Sequence, residues 1–293
     1  MAPLDLIKLT PLMERTSGRS EVKIGLIDGP VLTHHPDLSI ERLREISGKQ
    51  AASCTNANSS SCLHGTFVAG ILSARRNSPA PAICPDCTLV IRSIFPETTL
   101  GRESMPSATP QELAAAIRDC LGASVRVINL SLALAHPSTK GEQALDESLH
   151  LCARRGVLVV AAAGNQGTLG SSAITRHPWV IPVVACDLQG KPLNESNLSS
   201  SMGRRGLLAP GAGITSLGTK GEPLTLGGTS VAVPFVTGAI ALLWSEFPSM
   251  SAAHIKLALM RSSTMRRASV VPPLMDAMAA YHFLSTTNAR RRA

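Results

Sequence analysis

Short runs of apolar residues alternate with helical patterns along most of the chain. The runs at 22–27, 125–130, 157–162 and 180–185 are rich in valine and isoleucine and predict buried strands. Segments with helical spacing separate them, so strands and helices alternate in chain order. This order predicts an α/β fold: a doubly wound, mostly parallel sheet with helices on both faces.

Capping and turn residues mark the ends of several predicted elements. Residues 109–112 carry a capping box with proline at the first helical position, and they predict a helix that Gly122 ends. A further helix is predicted up to residue 155, and a hairpin over residues 214–226. The apolar run at 231–244 contains a proline and a glycine and is too short to span a bilayer, so we expect a core helix there.

Length and composition indicate one globular domain. The chain has 293 residues, of which 44% are hydrophobic and 16% charged, and an α/β domain can reach this size as a single unit. We expect one domain over residues 1–293, with its core at about 20–285 and a disordered tail at 288–293. The N-terminus lacks a basic stretch followed by an apolar segment, so we expect no signal peptide, no folding pro-domain and a cytoplasmic location.

The net charge of +8 raises the question of a nucleic-acid partner. The basic residues are scattered apart from a cluster at 290–292, and only 3% of the residues are aromatic. No stacking platform for bases is therefore predicted. We expect the charge to lie on solvated surface, with no nucleic-acid and no membrane partner.

Three reactive residue types occur in separate and characteristic settings. Asp28 follows the first predicted strand, at the edge where open α/β sheets place their sites. His64 lies near a predicted helix start, and Ser230 follows two glycines and a threonine at the start of the apolar helix. Each alone has an ordinary structural explanation as a cap, a turn residue or a satisfied histidine. Together, in the order Asp, His, Ser, they match one known chain order of a nucleophilic triad.

Asn165 supplies a fourth complementary group. It follows the predicted strand at 157–162 in a turn that contains glycine. Asparagine is a common turn residue, and alone it would be read as one. Beside a triad, its side-chain amide can donate to the oxyanion of an acyl-transfer intermediate, which is worth about 3 kcal/mol of barrier.

With these four residues the chain resembles the subtilisin-like serine proteases, from about residue 22 to residue 248. The resemblance implies that Asp28, His64 and Ser230 form the catalytic triad and that Asn165 is the oxyanion donor. It also implies an edge strand that pairs with the substrate backbone and a wall of the pocket for the residue before the cut. The substrate-binding residues that it implies are Ser131, Leu132, Ala133, Ala162, Ala163 and Gly164.

Several positions depart from the pattern of that family. Gly29 follows the aspartate where a small hydroxylated residue is usual, and Val231 follows the serine where methionine is usual. Asp37 matches a family calcium ligand, but the loop at 75–79 lacks the companion pattern. Because a lone aspartate does not make a calcium site, we expect no metal and no cofactor.

Three short motifs narrow the resemblance to the proteases that mature cyanobactins by cutting a leader from a ribosomally made precursor peptide. They are the Asp-Gly-Pro sequence at 28–30 and the segments at 83–95 and 151–155. Macrocyclising members of that subgroup carry a large helical cap between the aspartate and the histidine. Only the 35 residues from Gly29 to Leu63 lie there in this chain, so hydrolysis is the expected reaction.

Taken together, these features predict a serine endopeptidase that binds an extended peptide or protein by backbone pairing. The acyl-enzyme on the serine would be hydrolysed by water. Three alternatives stay open: a general intracellular degradative subtilisin, a peptide macrocyclase and a catalytically inactive binding protein. No oligomeric state is predicted.

Seven cysteines are expected to be buried thiols in a reducing compartment. Three fall within predicted helices or a strand: Cys120, Cys152 and Cys186. Cys54, Cys62, Cys84 and Cys87 together could bind zinc, although the first two lack the Cys-x-x-Cys spacing. In an oxidising compartment, the alternative is a disulfide between Cys54 and Cys62 beside the predicted catalytic histidine.

Overall fold

The computed structural model describes residues 2–46, 48, 50–97, 108–132, 141–261 and 269–292. The helices in this part of the chain are α1 (Pro3–Leu6), α2 (Thr10–Arg15), α3 (Ser60–Ser73), α4 (Pro110–Gly122), α5 (Glu142–Arg155), α6 (Ala173–Arg176), α7 (Ser200–Arg205), α8 (Thr229–Glu246), α9 (Ala252–Arg261) and α10 (Ala277–Arg292). The strands are β1 (Lys23–Asp28), β2 (Leu43–Glu45), β3 (Thr88–Ser93), β4 (Val127–Leu130), β5 (Leu158–Ala162), β6 (Val180–Cys186), β7 (Leu207–Pro210), β8 (Ile214–Ser216) and β9 (Leu224–Leu226).

Seven strands form one parallel sheet in the order β2-β3-β1-β4-β5-β6-β7. Strands lie on both sides of β1, with β2 and β3 on one side and β4 to β7 on the other, and the predicted doubly wound α/β fold is confirmed. Strands β8 and β9 pair antiparallel and form the predicted hairpin. Because all seven strands are parallel, their C-terminal ends meet at one edge of the sheet, which is where such folds place their sites.

Adjacent residues of the central strands point into two separate hydrophobic clusters. Val160 of β5 belongs to the cluster that contains α8, whereas its neighbour Val159 belongs to the cluster that contains α4 and α5. Successive side chains of a strand face opposite sides of the sheet. Both faces of the sheet are therefore covered by helices, which explains why the strand sequences are almost entirely apolar.

Helix α8 packs across four neighbouring strands, β4 to β7. Its 18 residues are long and apolar enough to cross a membrane by length and composition alone, and 89% of them are buried inside the protein. The interior of the domain supplies the apolar surroundings that its composition requires. The predicted core helix is confirmed.

The predicted helix ends are also confirmed. The Thr109 hydroxyl accepts the backbone N–H of Glu112, and the Glu112 carboxylate accepts the backbone N–H of Thr109, so the capping box before α4 is complete. Gly156 follows α5 with φ +67°, a left-handed conformation that favours glycine.

Helix α10 continues to Arg292, through most of the segment 288–293 for which a disordered tail is expected, and that expectation stays a prediction. Helix α10 packs against α9 and α2 and begins beside an ion pair between Lys8 and Asp276. The hydroxyls of Ser285 and Thr286 donate to carbonyl oxygens four residues earlier. These polar side chains therefore remain compatible with a helix.

The sheet topology corrects the implied edge strand at 127–133. Strand β4 lies inside the sheet, where it pairs with β1 on one side and β5 on the other. Its backbone groups are therefore committed to neighbouring strands. Of the positions implied to bind substrate there, Ser131 and Leu132 follow the strand, and Ala133 lies outside the described residues.

Candidate active site

The structure brings Asp28, His64 and Ser230 into one hydrogen-bonded line, as the sequence predicts. His64 Nδ1 lies 2.8 Å from Asp28 Oδ1, and His64 Nε2 lies 3.0 Å from Ser230 Oγ. A carboxylate only accepts, so Nδ1 carries the ring proton and Nε2 accepts the serine hydroxyl. The serine is thus connected to a base whose tautomer is set by the aspartate.

Two glycines allow helix α3 to approach the turn after Asp28. A Cβ at Gly65 would lie 2.4 Å from the carbonyl oxygen of Gly29, and a Cβ at Gly29 would lie 2.0 Å from the carbonyl oxygen of Ser61. Any side chain at either position would push the helix away from the strand. This close contact holds His64, on the second turn of α3, against the end of β1.

Burial sets the electrostatics of the pair formed by Asp28 and His64. Asp28 is fully buried; its Oδ1 accepts the backbone N–H of Gly29 at 2.6 Å, and its Oδ2 has no hydrogen-bond partner among the described residues. Burial alone would lower the pKa of His64, but the charge of Asp28 and its hydrogen bond outweigh burial and raise the pKa above 6.5. The imidazole is therefore a stronger base than an ordinary histidine.

Ser230 stands on the first turn of α8, preceded by Gly228 with φ +115°. It is half-buried, so its hydroxyl is accessible from outside as well as bonded to His64. The N-terminal end of a helix favours negative charge through its free N–H groups and its dipole. Charge that develops at Ser230 is therefore in a favourable place.

Asn165 is oriented by a residue that the sequence analysis missed. The backbone N–H and the hydroxyl of Thr229 both donate to Asn165 Oδ1, at 2.9 Å each. The Asn165 Nδ2 group lies above Gly228, where a Cβ would be 3.0 Å away. With its oxygen held, the exposed amide presents its N–H groups beside the turn that carries Ser230. The signal in the sequence was the threonine immediately before the serine.

The residues implied to bind substrate lie at the ends of two adjacent strands. Ser131 and Leu132 follow β4, and Ala162 ends β5, which pairs with β4 in parallel. Ala163 and Gly164 continue from β5 toward Asn165. The two segments therefore reach the same edge of the sheet as Asp28.

The structure separates the four cysteines that were considered as a possible zinc site and forms the alternative disulfide. Cys54 and Cys62 form a disulfide, with Cα atoms 5.4 Å apart. Cys84 and Cys87 are buried before the N-terminal end of β3, whereas Cys62 lies on α3 beside the opposite edge of the sheet. The two pairs cannot share an ion across the thickness of the domain. The five free cysteines are all buried, as expected.

Two groups of side chains in the described part of the chain lie close enough to share a metal ion. One consists of Cys54, Cys62 and Glu97, whose sulfur atoms are bonded to each other and offer no thiolate. The other consists of Asp146, His150 and His177. His177 Nδ1 accepts the N–H of Trp179, which leaves the ring proton on Nε2, facing Asp146 at 4.0 Å. That nitrogen is a donor and not a metal ligand.

Asp37 belongs to neither of these groups. Its backbone N–H donates to His35 Nδ1, and its carbonyl oxygen accepts the N–H of Arg75. These contacts tie the aspartate into a turn before the loop at 75–79. The expectation of no metal and no cofactor stays a prediction.

The family follows from comparison with known proteins. The model of the subtilase family, peptidase family S8, matches residues 19–282. The chain belongs to the subtilase family. It is 29% identical over 263 residues to subtilisin DY of Bacillus licheniformis, covering 89% of this chain and 90% of that protein. It is also 29% identical over 252 residues to subtilisin E of Bacillus subtilis strain 168, covering 85% of this chain and 62% of that longer protein. The subtilase chain described here is a serine endopeptidase.

Several solved protease structures are also similar to this chain. A mutant of the protease domain of PatA superposes with a TM-score of 0.81 at 28% identity, covering 92% of this chain and 97% of that chain. The prenylagaramide maturation protease PagA gives 0.80 at 28% identity, covering 94% and 98%. The PatG macrocyclase domain gives 0.80 at 21% identity, covering 94% and 95%, which shows a shared fold. The resemblance of this subtilase to cyanobactin maturation proteases is confirmed.

Proposed function

We propose that the subtilase hydrolyses peptide bonds through Ser230, His64 and Asp28. Ser230 Oγ attacks the carbonyl carbon of the scissile bond while its proton passes to His64 Nε2, and the same proton then moves to the leaving amine as the C–N bond breaks. Asp28 stabilises the imidazolium that forms between these steps. The observation that carries this function is the line of two hydrogen bonds, 2.8 and 3.0 Å, from Asp28 through His64 to Ser230.

Water completes the reaction. It attacks the ester carbonyl of the acyl-enzyme, gives a proton to His64 and releases the peptide as a carboxylic acid, with the proton returning to Ser230. In both tetrahedral intermediates the negative oxygen receives a hydrogen bond from Asn165 Nδ2. Thr229 holds the other end of that amide, so the donor is oriented before the substrate arrives.

The substrate is bound as an extended peptide beside the ends of β4 and β5. Its backbone pairs with the segment that begins at Ser131, and its side chain before the cut packs against Ala162, Ala163 and Gly164. These wall residues are small and uncharged. An apolar or uncharged side chain is therefore preferred before the cut, because an ionised one would lose its hydration without gaining a partner.

The natural substrate in this proposal is a ribosomally made precursor peptide that loses its leader. Its support is the likeness to PagA, which is described as a prenylagaramide maturation protease, at 28% identity over almost the whole chain. Hydrolysis is favoured over macrocyclisation, because the described residues between Asp28 and the start of α3 at Ser60 contain only one turn of 3₁₀ helix (Ile40–Arg42) and the short strand β2. No helical cap among them excludes water from the acyl-enzyme.

Cleavage of a precursor peptide, compared with cleavage of an unfolded protein, distinguishes a maturation protease from a general degradative one. The purified chain is first labelled with a fluorophosphonate, with Ser230→Ala as the unlabelled control, which separates an enzyme from an inactive binding protein. It is then given, at equal concentration, a precursor-type peptide and reduced, carboxymethylated casein. Cleavage of the peptide at one bond with little loss of casein supports maturation, whereas rapid digestion of casein at many sites supports the degradative alternative.

The cytoplasmic location is part of the same proposal and makes a chemical prediction. In a reducing compartment Cys54 and Cys62 are thiols, and their bridge forms only on oxidation. Alkylation of living cells with iodoacetamide before lysis, followed by mass spectrometry of the peptides that contain Cys54 and Cys62, tests this. Two carbamidomethyl groups support the cytoplasm, and an intact disulfide contradicts it.

A further inference from the structure

The segment that carries Asn165 is held from its far side by the half-buried amide of Asn197, beside backbone hydrogen bonds from Gly167 to Glu195 and from Leu198 to Thr168. Asn197 Oδ1 accepts three hydrogen bonds, from the backbone N–H of Gln166 at 3.1 Å and from the N–H and hydroxyl of Thr168 at 3.0 Å each. All three donors lie within three residues after Asn165 in the chain.

The other end of the same amide is used as well. Asn197 Nδ2 donates to the carbonyl oxygen of Ala163 at 3.3 Å and to Gln166 Oε1 at 2.7 Å. The backbone N–H of Asn197 donates to the carbonyl oxygen of Gly164 at 2.9 Å. Hydrogen bonds from one residue therefore hold the chain immediately before and immediately after Asn165.

Gly164 shows how close this contact is. It adopts φ +102°, and a Cβ there would lie 2.4 Å from Asn197 Nδ2. The left-handed conformation turns the chain out of β5, and the missing side chain admits the Asn197 amide. The turn could not keep this shape by local hydrogen bonding alone, since the atoms that satisfy it come from a segment about thirty residues later.

We infer that Asn197 is a positioning residue for the oxyanion donor. Asn165 is exposed and would be mobile as an isolated loop residue, yet the oxyanion needs a donor whose position is set in advance. Thr229 holds its side-chain oxygen, and Asn197 holds its backbone on both sides. This role rests on the proposed function, in which Asn165 donates to the oxyanion. Asn197 touches no reacting atom and acts only through Asn165.

The test is a double-mutant cycle with Asn165→Ala and Asn197→Ala, measured on a quenched fluorogenic peptide with an apolar residue before the cut. Asn165→Ala is expected to lower kcat about 100-fold or more. Asn197→Ala is expected to lower kcat about tenfold or more with a change in KM below about threefold, because the ground-state contacts of the substrate stay in place. In the Asn165→Ala background, Asn197→Ala is expected to have almost no further effect on kcat.

Asn194→Ala is the matched control, since this asparagine is exposed in the same loop and no hydrogen bond of its side chain is recorded among the described residues. Its kcat and KM are expected to equal those of the parent. Should Asn197→Ala fail to fold by circular dichroism, Thr168→Val removes one of the three donors to Asn197 Oδ1, and a smaller fall in kcat, again absent in the Asn165→Ala background, is expected.

The outcomes distinguish failure of the oxyanion role of Asn165 from failure of the positioning role of Asn197. If Asn165→Ala turns over as fast as the parent, the proposed oxyanion role fails, and the role of Asn197 fails with it. If Asn165→Ala is slow but Asn197→Ala is normal, or if the two effects multiply in full, only the positioning role is overturned. A rise in KM without a fall in kcat would make Asn197 a substrate-binding residue instead.

Discussion

The main chain of Gly29 lies so close to Ser61 that a Cβ on the glycine would be 2.0 Å from the serine carbonyl oxygen. One residue thus joins the turn after the aspartate to the first turn of the helix that carries the histidine. It also explains the departure from the family pattern at position 29, because a hydroxylated side chain has no room there. Asp28 Oδ2 is correspondingly left without a partner in the described structure.

Gly29→Ala is therefore expected to move helix α3 away from β1 and to lower kcat/KM about 100-fold or more, since small misplacements of a catalytic base are costly. The measurement is steady-state hydrolysis of a fluorogenic peptide together with thermal unfolding. Gly122→Ala is the control, because a Cβ at Gly122 meets no atom within 4 Å. Normal activity in Gly29→Ala would show that the contact does not place His64.

Removing a member of the triad is expected to abolish most of the activity. Ser230→Ala and His64→Ala are each expected to lower kcat by about a million-fold, and the double variant by little more, because the residues act as a unit. Active-site labelling and single-turnover assays measure this. Peptide cleavage by purified Ser230→Ala at the parent rate would overturn the assignment of the nucleophile.

The raised pKa of His64 predicts the pH dependence. The ring must be neutral to accept the Ser230 proton, so kcat/KM is expected to fall as the pH drops through a pKa above 6.5. Asp28→Asn removes the charge that raises this pKa, and its amide can donate to Nδ1 of the neutral ring, so burial, which lowers the pKa, dominates. The acid limb of that variant is expected below pH 6.5, with kcat reduced about ten-thousand-fold. An unmoved limb would show that another group controls it.

Resistance to mild oxidation is expected from the residue after the nucleophile. Val231 cannot form a sulfoxide, and oxidation of Cys54 and Cys62 leads to the bridge that the structure holds beside an assembled triad. Burial raises the pKa of Cys120, Cys152 and Cys186 to about 12 each. Activity is expected to survive dilute hydrogen peroxide, whereas Val231→Met is expected to become sensitive. A rapid loss in the parent that persists in a Cys54→Ser, Cys62→Ser variant would contradict this explanation.

The product of a precursor-type peptide is expected to be a linear acid, because the described residues place no helical cap over Ser230. Mass spectrometry of the released peptide in water enriched in ¹⁸O measures the reaction, and incorporation of one labelled oxygen is the expected result. A dominant product 18 Da lighter than the acid, as a ring would be, would favour the macrocyclase alternative.

Local patterns along the chain were enough to predict the parallel sheet, the capping box at Thr109 and the core helix α8. They also predicted the four residues of the proposed catalytic site. These features depend on periodicity, caps and short motifs, which act over a few residues and can be read in order. The order Asp28, His64, Ser230 predicted the catalytic chemistry. Each residue lies at the end of a strand or near the start of a helix, and folds of this class bring such ends together at one edge of the sheet.

Only the tertiary structure decided which segments meet. The position of β4 inside the sheet, the separation of the Cys84–Cys87 pair from Cys54 and Cys62, and the packing of α10 against α2 all depend on partners distant in the chain. The same holds for Asn197, which looks like an ordinary polar loop residue until Gly164 and Thr168 are placed against it. The sequence around a side-chain amide does not show which groups it will hydrogen-bond. Those partners are fixed only when folding brings distant backbone segments together.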